Sequence, residues 1–231
     1  MTIKDFYQRQ GTRGLNISLF FIGMAIICLL LLRKISFPVV VIPFMLISSI
    51  YFVIHLYYWT KAHKTTAIDQ EKLAVHDYHL IEFDGSDVYL FRPNGIVQGN
   101  IKIHSTIRGI QIEYFDEHGH RNKYFLKKAK NGYQVDAVNR GKRFLIQREK
   151  KPLFSRIEID DEMIFVYYFQ INSLTFQKDG RLIARMQKGW MPLAWQQIFR
   201  LNTPVVTFYE TVDFYEKEAI YLVILLYLYF N

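Results

Sequence analysis

The sequence predicts a membrane-anchored, mainly β protein: a two-helix transmembrane hairpin followed by a closed antiparallel β-barrel around a buried C-terminal apolar helix. Three observations predict it. Residues 15 to 59 are almost wholly apolar; from Val75 onward a period-two pattern broken by regular turn signals takes over; and the chain closes on a short stretch that is apolar on every face. Over 231 residues, 51% apolar content is thus spread unevenly, as membrane segments beside a globular domain require.

The first uncharged run, Leu15 to Leu32, holds eighteen residues. At about 1.5 Å of rise each it measures about 27 Å, close to the hydrocarbon thickness of a bilayer. A secretory signal would carry a shorter apolar core and a small-residue cleavage site, whereas Arg33 and Lys34 end this run directly. A short external loop over 33–38 leads into the second span, 39–59, and residues 1–14 form a segment before the first. Pro43 falls near the start of the second span, where a missing N–H matters little. His55 stands among Tyr57, Tyr58 and Trp59, which predicts an interfacial aromatic belt. Lys4, Arg9 and Arg13 precede the first span and Lys61, Lys64 and Lys72 follow the second, against Arg33 and Lys34 between them. By the positive-inside rule this places both termini and the β domain in the cytoplasm of a multi-pass cell-membrane protein.

After a linker over 60–74, residues 75–231 form the β domain. Asp87 to Arg92, Gly109 to Phe115 and Met163 to Ile171 are rich in β-branched and aromatic residues. Turns are signalled at Asp84-Gly85, Pro93-Asn94-Gly95, His118-Gly119, Asn131-Gly132, Arg140-Gly141 and Asp179-Gly180. Such a meander closes as a barrel or a sandwich. The stretch 216 to 230 opens with Glu216 and Glu218, as a helix start prefers, and then runs uncharged from Ala219 to Phe230. At about 18 Å those twelve residues are short for a span, so the barrel lumen is the economical place for them; a third membrane helix and a final β-strand are the competing assignments.

A barrel threaded by its own apolar helix brings a family into view. Gly180-Arg-Leu-Ile-Ala184, Lys188-Gly-Trp-Met-Pro192, Asn202-Thr-Pro204 and the Glu216-Lys217 start of the tail make residues 154 to 231 resemble the tubby C-terminal-like superfamily. That superfamily also holds the phospholipid scramblases and the LURP-one-related proteins, and the likeness is to its short bacterial members. It implies a twelve-stranded barrel around a central helix, in relatives that bind phosphoinositides or sit at membranes.

Charge is local. The chain carries +8, yet 121 to 156 holds twelve basic residues against Asp136 and Glu149. Arg121, Lys123, Lys127, Lys128, Lys130, Arg140, Lys142, Arg143, Arg148, Lys150 and Lys151 are therefore the candidate contacts for anionic headgroups, each worth up to about 1 kcal/mol close to an anionic leaflet. A solvated outer face is the bland alternative. Nucleic acid is disfavoured, because only Phe125 stands among the lysines of its strand where stacking platforms would be needed.

Chemistry is sparse. Cys28, the single cysteine, sits in the first span, which excludes a disulfide framework. His76 and His79, three apart on a strand, point to opposite faces and do not chelate. His118-Gly-His120 is a solvated turn tip, and Asp160-Asp161-Glu162 lacks the spacing of a calcium loop. Trp190 and Trp195 are expected to cover a barrel end. With no nucleophile elbow and no phosphate loop, a non-enzymatic module without a cofactor is expected, binding anionic lipid headgroups or a membrane-protein partner, the latter including a second copy of the chain. Lipid scrambling and a structural docking role are the alternatives.

Overall fold

The computed structural model describes residues 1–31, 37–65, 77–107, 109–130, 132–138, 143–148, 154–159, 162–170, 172–189, 191–209 and 211–230. The chain forms two compact units, Met1–Ala67 and Ile68–Asn231.

The first unit is a pair of helices, α1 (Ile3–Leu31) and α2 (Phe37–Lys64), both long and apolar enough to cross a membrane. Helix α1 begins well before the uncharged run. Thr2 and Asp5 form a reciprocal cap: Thr2 N donates to Asp5 Oδ2 at 2.8 Å, and Asp5 N donates to Thr2 Oγ1 at 3.2 Å. The segment 1–14 is thus helical almost throughout, and α2 continues five residues past Trp59. Pro43 stands seven residues into α2, so it removes an interior hydrogen bond.

The two helices run antiparallel, as the pairs Tyr7 with Tyr58, Ser18 with Ser48 and Phe21 with Phe44 show. Small residues let them approach. A Cβ on Gly14 would lie 3.2 Å from the Tyr51 carbonyl, and the Ser18 and Ser48 hydroxyls are 2.9 Å apart. His55 donates from Nδ1 to the Gly11 carbonyl at 2.9 Å, so it works as an interhelical tie within the aromatic cluster.

The second unit is a closed barrel of twelve antiparallel strands. They are β1 (Asp77–Asp84), β2 (Asp87–Phe91), β3 (Val97–Thr106), β4 (Gly109–Asp116), β5 (Arg121–Ala129), β6 (Gly132–Ala137), β7 (Arg143–Arg148), β8 (Phe154–Ile159), β9 (Glu162–Gln170), β10 (Ser173–Lys178), β11 (Arg181–Gln187) and β12 (Val205–Phe208). Each pairs with its sequence neighbour, and β12 returns to β1 to close the ring, which leaves no free edge. The turn chemistry holds at both ends of the sheet order. Gly85 sits at φ +62° between β1 and β2, and Asp179 and Gly180, both at positive φ, make the two-residue loop joining Lys178 to Arg181. At Gly132 a Cβ would fall 2.0 Å from the Ile146 carbonyl, so the close approach of β7 to the start of β6 requires glycine there. The Arg140-Gly141 turn lies outside the described residues.

Alternate residues point inward and fill the barrel: Ile101 and Ile103, Ile112 and Tyr114, Tyr124 and Leu126, Ile164 and Val166 are examples. Helix α4 (Phe214–Phe230) supplies the rest. Ala219 to Leu225 are buried without interruption inside the same apolar cluster, as a helix without a polar face requires, and Leu226, Tyr227 and Leu228 pack partly against it. Asp213 and Glu216 cap this helix reciprocally, at 2.8 and 3.0 Å.

Between β11 and β12 the chain carries one short turn of helix, α3 (Leu193–Gln196), and folds back on the outside of β1 and β2. Trp195, fully buried, meets Tyr78 edge-on at 5.0 Å, and Phe199 meets Phe91 at 5.9 Å. Tyr78 and Phe91 lie on the outward parity of their strands, so Trp195 covers the barrel's side rather than its end; Trp190 lies outside the described residues. The same connection reaches Glu82, whose carboxylate is wholly buried and accepts hydrogen bonds from Arg200 and, at 2.5 Å, from Thr203.

Candidate functional site

Two regions carry polar chemistry, and the hairpin order sets them at opposite ends of the barrel. Successive antiparallel hairpins alternate ends. The start of β1, the β4–β5 tip and the first turn of α4 share one end, here called the mouth; the β3–β4 and β5–β6 tips share the other, the base.

The basic residues divide between these ends. Arg121 opens β5 near the mouth and bonds the Glu113 carboxylate, which Lys123 also approaches to 3.5 Å. The Arg121 bond, then that from Gln111 at 2.7 Å, followed by the charges of Arg121 and Lys123, holds the Glu113 carboxyl below its ordinary pKa. Lys127 lies outward near the base, 3.0 Å from Asp136 and 5.6 Å above the Phe125 ring. Lys128 and Lys130 are exposed at the β5–β6 tip. Arg143 and Arg148 open and close β7, placed by register opposite Asp136 at the mouth side and Ser155 at the base side. Arg156 donates to Gln147 at 2.6 Å. Arg140, Lys142, Lys150 and Lys151 lie outside the described residues. Lys128 and Lys130 thus stand at the base, where the neighbouring β3–β4 tip presents Ile107 fully exposed, while Lys127 is held by Asp136 further along the strand.

The mouth holds a cavity of about 280 Å³ between the β4–β5 tip and the first turns of α4. Its floor is Glu218, 3% exposed, which accepts from Asn122 Nδ2 at 2.8 Å and from the Tyr124 hydroxyl. Its walls are aromatic. Tyr114 and Tyr221 stack at 6.4 Å, and Phe214 meets Tyr114 edge-on at 6.0 Å. Burial, then the Glu218 charge, raises the Tyr114 pKa; burial first, then Tyr114 and Asp77, raises that of Tyr221. Both phenols therefore stay protonated.

Behind Tyr221 runs a polar chain. The Tyr221 hydroxyl bonds His79 Nδ1, His79 Nε2 bonds Asp77 Oδ1 at 2.7 Å, and Lys217 Nζ bonds Asp77 Oδ2 at 2.6 Å. With the ring proton on Nε2, His79 donates to Asp77 and accepts from Tyr221. The hydrogen bond from His79, then the hydrogen bond and charge of Lys217, pull the Asp77 carboxyl far below its ordinary range. At the rim, Asp116 Oδ1 accepts from the backbone N–H groups of His118 and His120 at 2.9 and 2.8 Å, while Glu117 pairs with Arg92 at 2.8 Å. Both histidine side chains of this tip are more than two-thirds exposed.

None of the mouth chemistry was legible as a site in the sequence. Asp77 and His79 lie some 140 residues from Lys217 and Tyr221, and Glu218 reads as an ordinary first-turn acid until barrel closure brings Asn122 and Tyr124 against it. His79 does point inward, as its strand parity predicts, while His76 lies outside the described residues; Glu162 pairs with Lys178 at 2.6 Å, and Asp160 and Asp161 also lie outside. Among the described residues no group of three or more His, Cys, Asp or Glu is placed to hold a metal ion. No family model, no curated protein and no solved structure matches this chain.

Proposed function

We propose that the chain is a membrane-anchored, non-enzymatic module whose barrel base engages anionic lipid headgroups. The observation that carries this is the exposed pair Lys128 and Lys130 at the barrel end that also presents the fully exposed Ile107, in a chain that also has two helices fit to span a bilayer. Lysines within a Debye length of an anionic leaflet are attracted to it, and an exposed aliphatic tip adds apolar area to bury among the headgroups. The resemblance to the tubby C-terminal-like superfamily, cytoplasmic placement by the positive-inside rule and the spanning of the bilayer by α1 and α2 belong to the same reading.

The test uses the full chain in nanodiscs of phosphatidylcholine alone or with phosphatidylglycerol, treated with an amine-acetylating reagent. Lys128 and Lys130 should be labelled several-fold more slowly in the anionic discs, and the difference should vanish at high salt. Equal labelling in both discs overturns the proposal.

A further inference from the structure

We infer that the outer face of β10, β11 and β12 binds a carboxylate through Arg185. Leu174 and Phe176 of β10, Ala184 and Met186 of β11, and Val206 and Phe208 of β12 belong to the barrel core. By strand alternation Thr175, Arg185 and Thr207 therefore point outward. Register sets these three side by side, with Thr175 on one flank of Arg185 and Thr207 on the other. Tyr167 stands opposite Thr175 and Tyr78 opposite Thr207, so a phenol bounds the row at each end. Ser173 takes the same face two residues before Thr175.

Two observations on this face call for a ligand. Arg185 Nε is buried and has no hydrogen-bond acceptor, and among the described residues no carboxylate pairs with its guanidinium, whereas Arg92, Arg121 and Arg200 of the same barrel each have one. The three strands hold no Asp or Glu to supply it. A cation drawn partly out of water without a counter-charge is costly. Independently, Ser173 is 5% exposed and its Oγ has no partner. Thr175 and Thr207 are buried as well, while Arg185 is partly exposed, so the row is open to solvent at the arginine.

The donor set selects the ligand. One guanidinium brings one positive charge, and a carboxylate neutralises it. A phosphate ester, at about −1.5 to −2 near pH 7, would leave surplus negative charge against a largely buried row. A carboxylate also offers about four lone-pair positions. Two accept from the guanidinium fork, and the others face the hydroxyls of Thr175, Thr207 and Ser173. Cationic ligands find no acid on these strands.

The experiment is arginine labelling of the full chain in maltoside detergent with phenylglyoxal, read residue by residue by mass spectrometry. Arg181, exposed on the same strand, is the internal reference. Acetate exchanged for chloride at constant ionic strength should slow labelling of Arg185 several-fold and leave Arg181 unchanged. N-acetylaspartate amide distinguishes the sources: protection by both probes assigns the site to any presented carboxylate, including an acidic side chain, and protection by acetate alone assigns it to a small free acid. The double variant Thr175→Val/Thr207→Val, with near-ultraviolet circular dichroism reporting an intact barrel, should need roughly tenfold more acetate for the same protection, as the loss of two hydrogen bonds requires. Should that variant fail to fold, the comparison of acetate, methyl phosphate and chloride on the parent chain carries the test. Equal labelling of Arg185 in acetate and chloride overturns the proposal, as does methyl phosphate protecting better than acetate. No labelling of Arg185 in chloride, or unchanged protection in a folded double variant, overturns it too. Charge reversal at Lys128 and Lys130 should leave the protection unaltered, which separates it from the lipid reading.

Discussion

Replacing Ile224 by alanine tests whether α4 truly fills the barrel. Ile224 is fully buried in the middle of the run Ala219 to Leu225, and the cluster around it is built from strands on all sides of a closed ring. Buried Ile→Ala changes cost about 2–5 kcal/mol, with the larger values where surrounding structure has no room to relax. A closed barrel cannot shrink onto a cavity at its axis without breaking ladder hydrogen bonds, so the expected loss is about 4 kcal/mol. Against a domain stability of about 5–15 kcal/mol that is a large fraction. At about 2–4 °C per kcal/mol for a domain of this size, the melting temperature should fall by roughly 8–16 °C. Urea unfolding of the detergent-solubilised chain, followed by near-ultraviolet circular dichroism, measures it. Leu193→Ala, at a site 79% exposed, should change the midpoint by less than about 0.5 kcal/mol and serves as the control. A loss below about 1 kcal/mol at Ile224 refutes the reasoning, because a helix lying in detergent instead of the lumen would leave the barrel's urea transition nearly untouched.

Arg200→Ala leaves the Glu82 carboxylate in a wholly buried site with Thr203 as its remaining donor of the pair. Breaking a buried ion pair costs about 3–5 kcal/mol, but Arg200 is 34% exposed and water can follow it out, so about 2–3 kcal/mol is expected. The double variant Glu82→Leu/Arg200→Ala should recover part of this in urea titration; further loss would show that the pair is not coupled as its geometry requires. The pH dependence has a definite sign. Asp77 and Glu113 have folded pKa values depressed by their partners, so their contribution is present above the unfolded carboxylate range of about 3.9–4.3 and is lost as pH falls through the folded values. Asp77→Asn and Glu113→Gln should therefore lower the urea midpoint at pH 7, with the difference from the parent chain shrinking below about pH 4. A difference that grows on acidification contradicts the assignment. Lys178, clamped by Glu162 and Glu216 at 2.6 and 2.7 Å, has a raised pKa, so its contribution persists to about pH 10.4 and fades only above it.

The sequence by itself determined the local elements. Hydrophobic runs of eighteen residues or more allow little besides long apolar helices, and period-two alternation between glycine turns allows little besides antiparallel hairpins. The all-round apolar tail required enclosure, and the placement of Ala219 to Leu225 within the barrel cluster answers that requirement. Register and closure were decided only by the tertiary structure. Hairpin alternation sends Lys128 and Arg121, seven residues apart on one strand, to opposite ends, so a run of basic residues that looks like one face in the sequence becomes two separate regions. Closure also brings Glu218 against Asn122 and Tyr124, and Tyr221 against His79, across separations of 94 to 142 residues. Side-chain periodicity records which face a residue takes and carries no information on which distant strand will stand opposite, because that is settled by pairing the whole ring at once.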